Sequence, residues 1–124
     1  MTPSSNRVAA LLGLAVLLLT GCSTLQPVGF PVGDKRYPPK PPTAGVQVFL
    51  AAPPARKFEP VARLNVHIEK TFFLPSAFAE ARPKLEDLAR QYGADAIIQV
   101  EEKKSRLNET FIYNVTATAV IFTD

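Results

Sequence analysis

The sequence predicts a small α+β domain over residues 45–124, in which a mainly antiparallel sheet is covered on one face by one helix. Three observations support this prediction. Apolar and polar residues alternate in residues 61–70 and 110–122, an apolar stripe with spacings of three and four lies between them, and a glycine follows that stripe. The expected order of elements is β-β-α-β-β, with no internal repeat and no second domain.

Two strands are expected before the helix. Residues 46–50 alternate as Val, Gln, Val, Phe and Leu, and Pro53 with Pro54 ends this short strand. Residues 61–70 follow, and their polar residues share the face opposite to Leu64, Val66 and Ile68. This pattern indicates a half-buried strand.

The helix is predicted from one apolar stripe formed by Phe78, Ala81, Leu85, Leu88 and Tyr92. Pro83 interrupts the pattern, because proline lacks an N–H and its ring clashes with the preceding turn. We therefore expect a regular helix over residues 83–91, with residues 76–82 as a preceding helical turn or bend. Gly93 supplies the left-handed residue that ends helices.

Two more strands are expected after the helix. Residues 94–100 predict a largely buried strand, and the charged residues 101–106 suit an exposed hairpin connection. Residues 110–122 predict a long strand packed against the helix. Asp95 is expected to bond to the backbone around the Gly93 turn.

The N-terminal residues have the features of an export signal. Residues 8–19 are twelve apolar residues or glycines, and Arg7 precedes them. The run is too short to span a bilayer, which needs about 20 apolar residues, but it fits a signal peptide. We expect residues 1–21 to be cleaved.

The residues Leu19, Thr20, Gly21 and Cys22 resemble the lipobox of bacterial lipoproteins. The resemblance implies that Gly21 is the last residue removed. It also implies that Cys22 becomes the N-terminus, with a diacylglycerol on sulfur and an acyl chain such as palmitate on nitrogen. Each buried CH₂ contributes about 0.8 kcal/mol, so two or three chains anchor a protein firmly. Ser23 behind the cysteine implies the outer membrane, with the periplasmic face favoured. The alternative is an uncleaved anchor with a chance cysteine.

A proline-rich segment follows the lipobox. Residues 26–44 contain six prolines and two glycines and show neither helical nor strand periodicity. Such a composition predicts a tether with polyproline II character, so residues 22–44 are expected to form a lipidated N-terminus and tether. The tether is either a passive linker, which we favour, or a spacer or extended ligand for another protein.

The charge balance argues against nucleic-acid binding. Without residues 1–21, the 124-residue chain keeps 13 basic and 11 acidic side chains, and they are interleaved rather than clustered. With its single cysteine lipidated, the chain has no thiol for a disulfide. The domain must therefore depend on its apolar core.

Residues 45–122 resemble the folded domain of the Rcs-pathway envelope stress sensor lipoprotein and the YbjQ-like small domains. The similar segments are residues 46–50, 85–89, 92–98 and 117–120. The resemblance implies the α+β fold and contact with envelope or outer-membrane proteins. The sensor's domain has disulfide-forming cysteines that this chain lacks after Cys22, so no signalling residue is carried over.

Few residues suit catalysis or metal binding. His67 is the only histidine and lies on the polar face of its strand. A metal site there would need ligands from other strands, so an exposed or structural role is expected. The adjacent acids Glu86-Asp87 and Glu101-Glu102 do not share a face. We expect no catalytic residue, no metal and no cofactor.

These observations favour a non-enzymatic outer-membrane lipoprotein whose small domain binds an envelope protein, as a sensor or assembly accessory. Two alternatives stay open. One is a small-molecule or metal-binding periplasmic domain that uses His67 and nearby acids. The other is a structural lipoprotein that self-associates through exposed strand edges.

Overall fold

The computed structural model describes residues 23–124, which form a five-stranded mixed sheet with one helix on one face. The elements in chain order are β1 (Ser23–Pro31), β2 (Gln47–Val48), β3 (Phe58–Lys70), α1 (Phe78–Gln91), β4 (Ala96–Leu107) and β5 (Thr110–Phe122). The strand order across the sheet is β1-β3-β5-β4-β2. The short β2 runs parallel to β4, and the other neighbouring pairs are antiparallel. The predicted fold class is confirmed.

The apolar core lies between α1 and the sheet. The helix contributes the buried side chains of Ala81, Leu85, Leu88 and Ala89, which belong to the predicted stripe or adjoin it. The strands β3 and β5 contribute alternate residues, chiefly Leu64, Val66, Ile68, Tyr113, Val115, Ala117 and Ala119. The alternation predicted for these two strands is confirmed. Each large apolar side chain that is fully buried contributes about 1.5–3 kcal/mol.

The helix starts earlier than the sequence predicts. It runs without interruption from Phe78, so the expectation of a regular helix from Pro83 is wrong. Pro83 removes the hydrogen bond to the carbonyl of Ala79, but both residues are solvent-exposed, so the freed carbonyl lies on the side that water reaches. The start is stabilised by Glu80, whose carboxylate accepts a hydrogen bond from the Ala77 N–H at 2.8 Å.

The β4–β5 hairpin is longer than predicted, and the strand predicted over residues 46–50 is shorter. The charged residues 101–106, expected to be a connection, continue β4 to Leu107, and Asn108 and Glu109 make the turn. Asn108 has φ +52, a conformation that asparagine tolerates better than most residues. In place of residues 46–50, β2 has only Gln47 and Val48.

The main correction concerns the predicted tether over residues 26–44. Ser23–Pro31 forms β1 and pairs antiparallel with β3, with Ser23 opposite Lys70. Within residues 23–124, regular structure therefore starts at Ser23 and not at residue 45. No long spacer separates the folded domain from Cys22.

Prolines are tolerated in β1 because it is an edge strand. The Val32 N–H donates to the Val61 carbonyl at 2.9 Å, so even-numbered residues point their N–H groups toward β3. Pro27 and Pro31 belong to the odd-numbered series, whose N–H positions face away from the sheet. Neither proline removes a hydrogen bond of the β1–β3 ladder, which is why the composition misled the sequence prediction.

Residues 32–46, here called the strap, cross the C-terminal end of α1. The Lys40 N–H donates to the Arg90 carbonyl at 2.8 Å, and Arg90 Nε donates to the Ala44 carbonyl at 2.7 Å. Tyr37 packs against the core. The proline-rich strap is thus part of the folded domain.

Candidate interaction surface

The residues predicted to direct lipid attachment lie outside the described residues. Leu19, Thr20, Gly21 and Cys22 precede Ser23, the first residue that the structure describes. Ser23 is also the first residue of β1. The attachment point predicted at Cys22 is therefore joined directly to the sheet. No helix within residues 23–124 is long and apolar enough to cross a membrane.

The face of the sheet opposite α1 is here called the open face. It is polar around His67 and carries a small buried apolar cluster of Ala96, Ile98 and Val120 at its other end. Cross-strand pairing aligns its side chains in rows across β1, β3, β5 and β4. One row consists of Val28, Asn65, Thr116 and Glu101, and the next consists of Gln26, His67, Asn114 and Lys103. These side chains are half-buried or exposed. The polar face of β3 therefore extends across four strands.

His67 lies at the centre of the open face, as its sequence pattern predicts. Its Nδ1 lies 2.7 Å from Asn114 Oδ1, and its Nε2 lies 2.9 Å from Glu69 Oε1. Both partners are acceptors, and only the doubly protonated imidazolium donates from both nitrogens. The bond to Glu69 and then the bond to Asn114 raise the pKa of His67. Residues 23–124 contain no cluster of His, Cys, Asp and Glu able to hold a metal ion.

We expect His67 to titrate above its ordinary pKa of 6.5. A raised pKa in the folded state means that the stability from the charged form is present below pH 6.5 and is lost as the pH rises through the folded pKa. Because His67 is the only histidine, its ring protons can be followed by NMR without assignment mutants. Glu69→Gln should lower the pKa toward 6.5, whereas a wild-type pKa at or below 6.5 would contradict the double hydrogen bond.

A second polar network lies on the open face, two rows from His67. The Thr118 hydroxyl is buried, accepts a hydrogen bond from Arg63 Nη1 and donates to Gln99 Oε1 at 3.0 Å. Gln99 has φ +54 and lies in the irregularity between Ile98 and Glu101 that interrupts the β4–β5 register. This bulge turns the Gln99 side chain onto the open face.

The open face also has an acceptor without a partner. The buried Oδ1 of Asn65 makes no hydrogen bond within the described residues. Asn65 borders a groove of about 480 Å³, which is also lined by Glu101, Glu102, Lys103, Asn114 and Thr116. A buried carbonyl oxygen without a donor costs about 1–3 kcal/mol.

Neither pair of adjacent acids forms a two-carboxylate site. Glu86 and Asp87 each pair with the Arg90 guanidinium on the surface of α1. In the other pair, Glu102 accepts a hydrogen bond from the Tyr113 hydroxyl, on the side of the sheet that holds the core. Burial and the bond to Glu102 raise the pKa of Tyr113.

Asp95 has a structural role, but not around the Gly93 turn as expected. Its Oδ2 accepts from the Phe122 N–H at 2.9 Å, and Oδ1 pairs with Lys40 of the strap. Partial burial pushes the pKa of Asp95 up, but the bonds from Lys40 and Phe122 outweigh burial and lower the pKa. Asp95 therefore joins the strap to the end of β5.

The comparisons with known proteins give a likeness of fold. No protein-family model and no curated protein sequence matches the chain. Among solved structures, the chain is similar to the Francisella virulence factor FvfA, whose crystal structure was determined in an orthorhombic form. The TM-score is 0.54 at 20% identity, over 82% of this chain and 100% of that one. This similarity supports the α+β architecture and says nothing about activity.

Proposed function

We propose that the protein is a lipid-anchored lipoprotein of the bacterial outer membrane, whose domain binds an envelope protein and catalyses no reaction. The observation that carries this proposal is the start of β1 at Ser23, one residue after Cys22. Acyl chains on Cys22 would hold the sheet itself at the membrane, with no spacer between them. Binding to a neighbour in the envelope then depends on the faces that the domain presents.

The open face is the surface best suited to a protein partner. It combines the polar rows around His67 with a groove that Asn65, Asn114 and Lys103 line. Exposed apolar side chains border it on β1, where Val28 is 44% and Phe30 is 60% exposed. Protein interfaces typically combine apolar contact with hydrogen-bonding groups in this way.

Self-association through the β1 edge is a weaker candidate. A free edge recruits another strand through its outward N–H and C=O groups. In β1, two of the outward positions are Pro27 and Pro31, which have no N–H to donate. Two copies paired along this edge would therefore lack some of the backbone hydrogen bonds between their strands.

The proposal is tested in cells with a photocrosslinking lysine analogue at two positions. Lys103 lies on the open face, and Lys84 lies on the solvent-exposed side of α1; both are exposed. We expect the analogue at Lys103 to give a defined crosslinked envelope protein in the membrane fraction and the analogue at Lys84 to give none. In the Cys22→Ala background, the chain should leave the membrane fraction and the crosslink should be lost.

Three results would contradict the proposal. If the Cys22→Ala chain stayed with the membrane, or if mass spectrometry found an unmodified thiol on Cys22, the lipid anchor would be refuted. If Lys103 and Lys84 gave the same crosslinks, the open face would not be the binding surface.

A further inference from the structure

Four apolar side chains project from one end of the sheet and are here called the apolar tip. Phe72, Phe73 and Leu74 belong to the connection from β3 to α1, and Leu107 ends β4. Their exposed fractions are 66%, 56%, 50% and 66%. A soluble surface seldom exposes so many large apolar side chains together without a binding role.

The apolar tip is held in a fixed conformation. Phe72 and Phe73 have φ values of +59 and +57, in the left-handed region that phenylalanine rarely adopts. The Phe73 N–H donates to the Glu109 carbonyl at 2.8 Å, and its ring packs edge-on against Phe111 with centroids 5.9 Å apart. The connection is therefore fixed to the β4–β5 turn while its apolar side chains face outward.

The apolar tip lies at the end of the sheet where Cys22 joins the chain. Ser23 pairs with Lys70, and Phe72 follows Lys70 by two residues. With strands about 4.8 Å apart and about 3.3 Å of rise per residue, the Cα atoms of Ser23 and Phe72 lie on the order of 10 Å apart. Each headgroup layer of a bilayer is only about 5–8 Å thick. Acyl chains on Cys22 would therefore bring the tip to the membrane surface.

The charges next to the apolar tip suit anionic headgroups. A cavity of about 370 Å³ lies beside it, and its lining includes Lys104, Arg106, Phe111 and the buried Ser76. Neither Lys104 nor Arg106 forms an ion pair among residues 23–124, and the Ser76 hydroxyl has no hydrogen-bond partner there. Arg106, together with Lys104, whose ammonium lies 5.7 Å from the centroid of the Tyr113 ring, places positive charge over an apolar floor, which matches a lipid phosphate above its acyl chains.

We propose that the apolar tip inserts into the lipid bilayer beside Cys22, as a second membrane contact that sets the domain's orientation. This inference rests on the lipid anchor of the proposed function. With the tip and Cys22 both at the bilayer, the strands stand away from the membrane. The open face is then presented sideways to other envelope proteins.

A single tryptophan tests the insertion, because the chain has none of its own. The mature lipid-bearing chain carrying Phe72→Trp is placed in phosphatidylethanolamine and phosphatidylglycerol vesicles that contain brominated acyl chains. The matched control is Leu50→Trp, at a site 58% exposed and far from the tip, where Leu50 borders a groove with Ile98 and Gln99. We expect bromine to quench the Phe72→Trp emission, as for a side chain about 5–10 Å into the interface, and iodide to leave it unaffected. The Leu50→Trp emission should be quenched by iodide and left unaffected by bromine.

The other outcomes overturn the insertion. If the Phe72→Trp emission is quenched by iodide to the same extent as the Leu50→Trp emission, the tip stays in water. If neither iodide nor bromine quenches it, a protein surface or a second copy covers the tip.

Failure of the anchor can be distinguished from failure of the insertion. If Cys22 carries no lipid in cells, its thiol, the only one in the chain, is coupled to a maleimide lipid, and the same comparison is made. Loss of quenching in that preparation refutes insertion. Quenching there supports insertion even when natural lipidation is absent.

Discussion

Replacing Gly93 with alanine should lower the free energy of unfolding by about 2–4 kcal/mol, because two costs add. Gly93 has φ +72, where an L residue is strained. A Cβ at this position would also lie 2.6 Å from the Pro38 carbonyl oxygen and 2.8 Å from Tyr37 Cβ. The first of these atoms is backbone, so relief requires the strap to move. Urea unfolding followed by circular dichroism measures the loss.

Gly33 is the matched control for Gly93. It has φ +74, and a Cβ added there would have no atom within 4 Å. Gly33→Ala should therefore show only the conformational cost of about 1–2 kcal/mol. The difference between the two losses of unfolding free energy measures the contact between the strap and the end of α1. Equal losses would show that the strap does not press on Gly93.

The helix end at Gly93 could be predicted from sequence, but the strap that crosses it could not. Glycine after an apolar stripe is a local signal, and the structure confirms it at the end of α1. The contacts of Tyr37 and Pro38 with Gly93 join residues more than fifty positions apart. No periodic pattern within the strap predicts these contacts, because the strap is an irregular segment.

Strand β1, which the sequence analysis did not predict, shows that proline argues against a strand in some positions and is compatible with one in others. Proline usually argues against a strand, and Pro27 and Pro31 therefore made β1 resemble a tether. At a sheet edge, however, the missing N–H removes only an outward donor. Whether a strand lies at an edge depends on the partner β3, which begins 27 residues after Pro31. The same information was needed to place Ser23 beside Lys70, at the end of the sheet that carries the apolar tip.

The candidate surface was partly predictable. Alternation in β3 places His67 on the polar face, as the structure confirms. Its hydrogen bond to Asn114 depends on the β3–β5 register, which local patterns do not determine. The unbonded oxygen of Asn65 and the bulge at Gln99 are likewise properties of the assembled sheet.

Tyr113→Ala should cause the largest loss of stability, about 3–5 kcal/mol. Tyr113 is 2% exposed and is among the largest fully buried side chains of the core. Its ring separates the core below α1 from the cavity beside the apolar tip. Domains of this size have total stabilities of about 5–15 kcal/mol, so the variant would lose much of its folded population near the lower limit. Guanidinium unfolding gives the loss, and an unchanged slope would show that the unfolded state is unaffected.

Tyr113→Phe separates the ring from the hydroxyl. It keeps the apolar volume and removes the hydrogen bond to Glu102, whose side chain is exposed and regains water. The expected loss is therefore about 0.5–1.5 kcal/mol, well below that of the alanine variant. If the two variants lost equal stability, the hydroxyl bond and not ring burial would account for the contribution of the Tyr113 side chain.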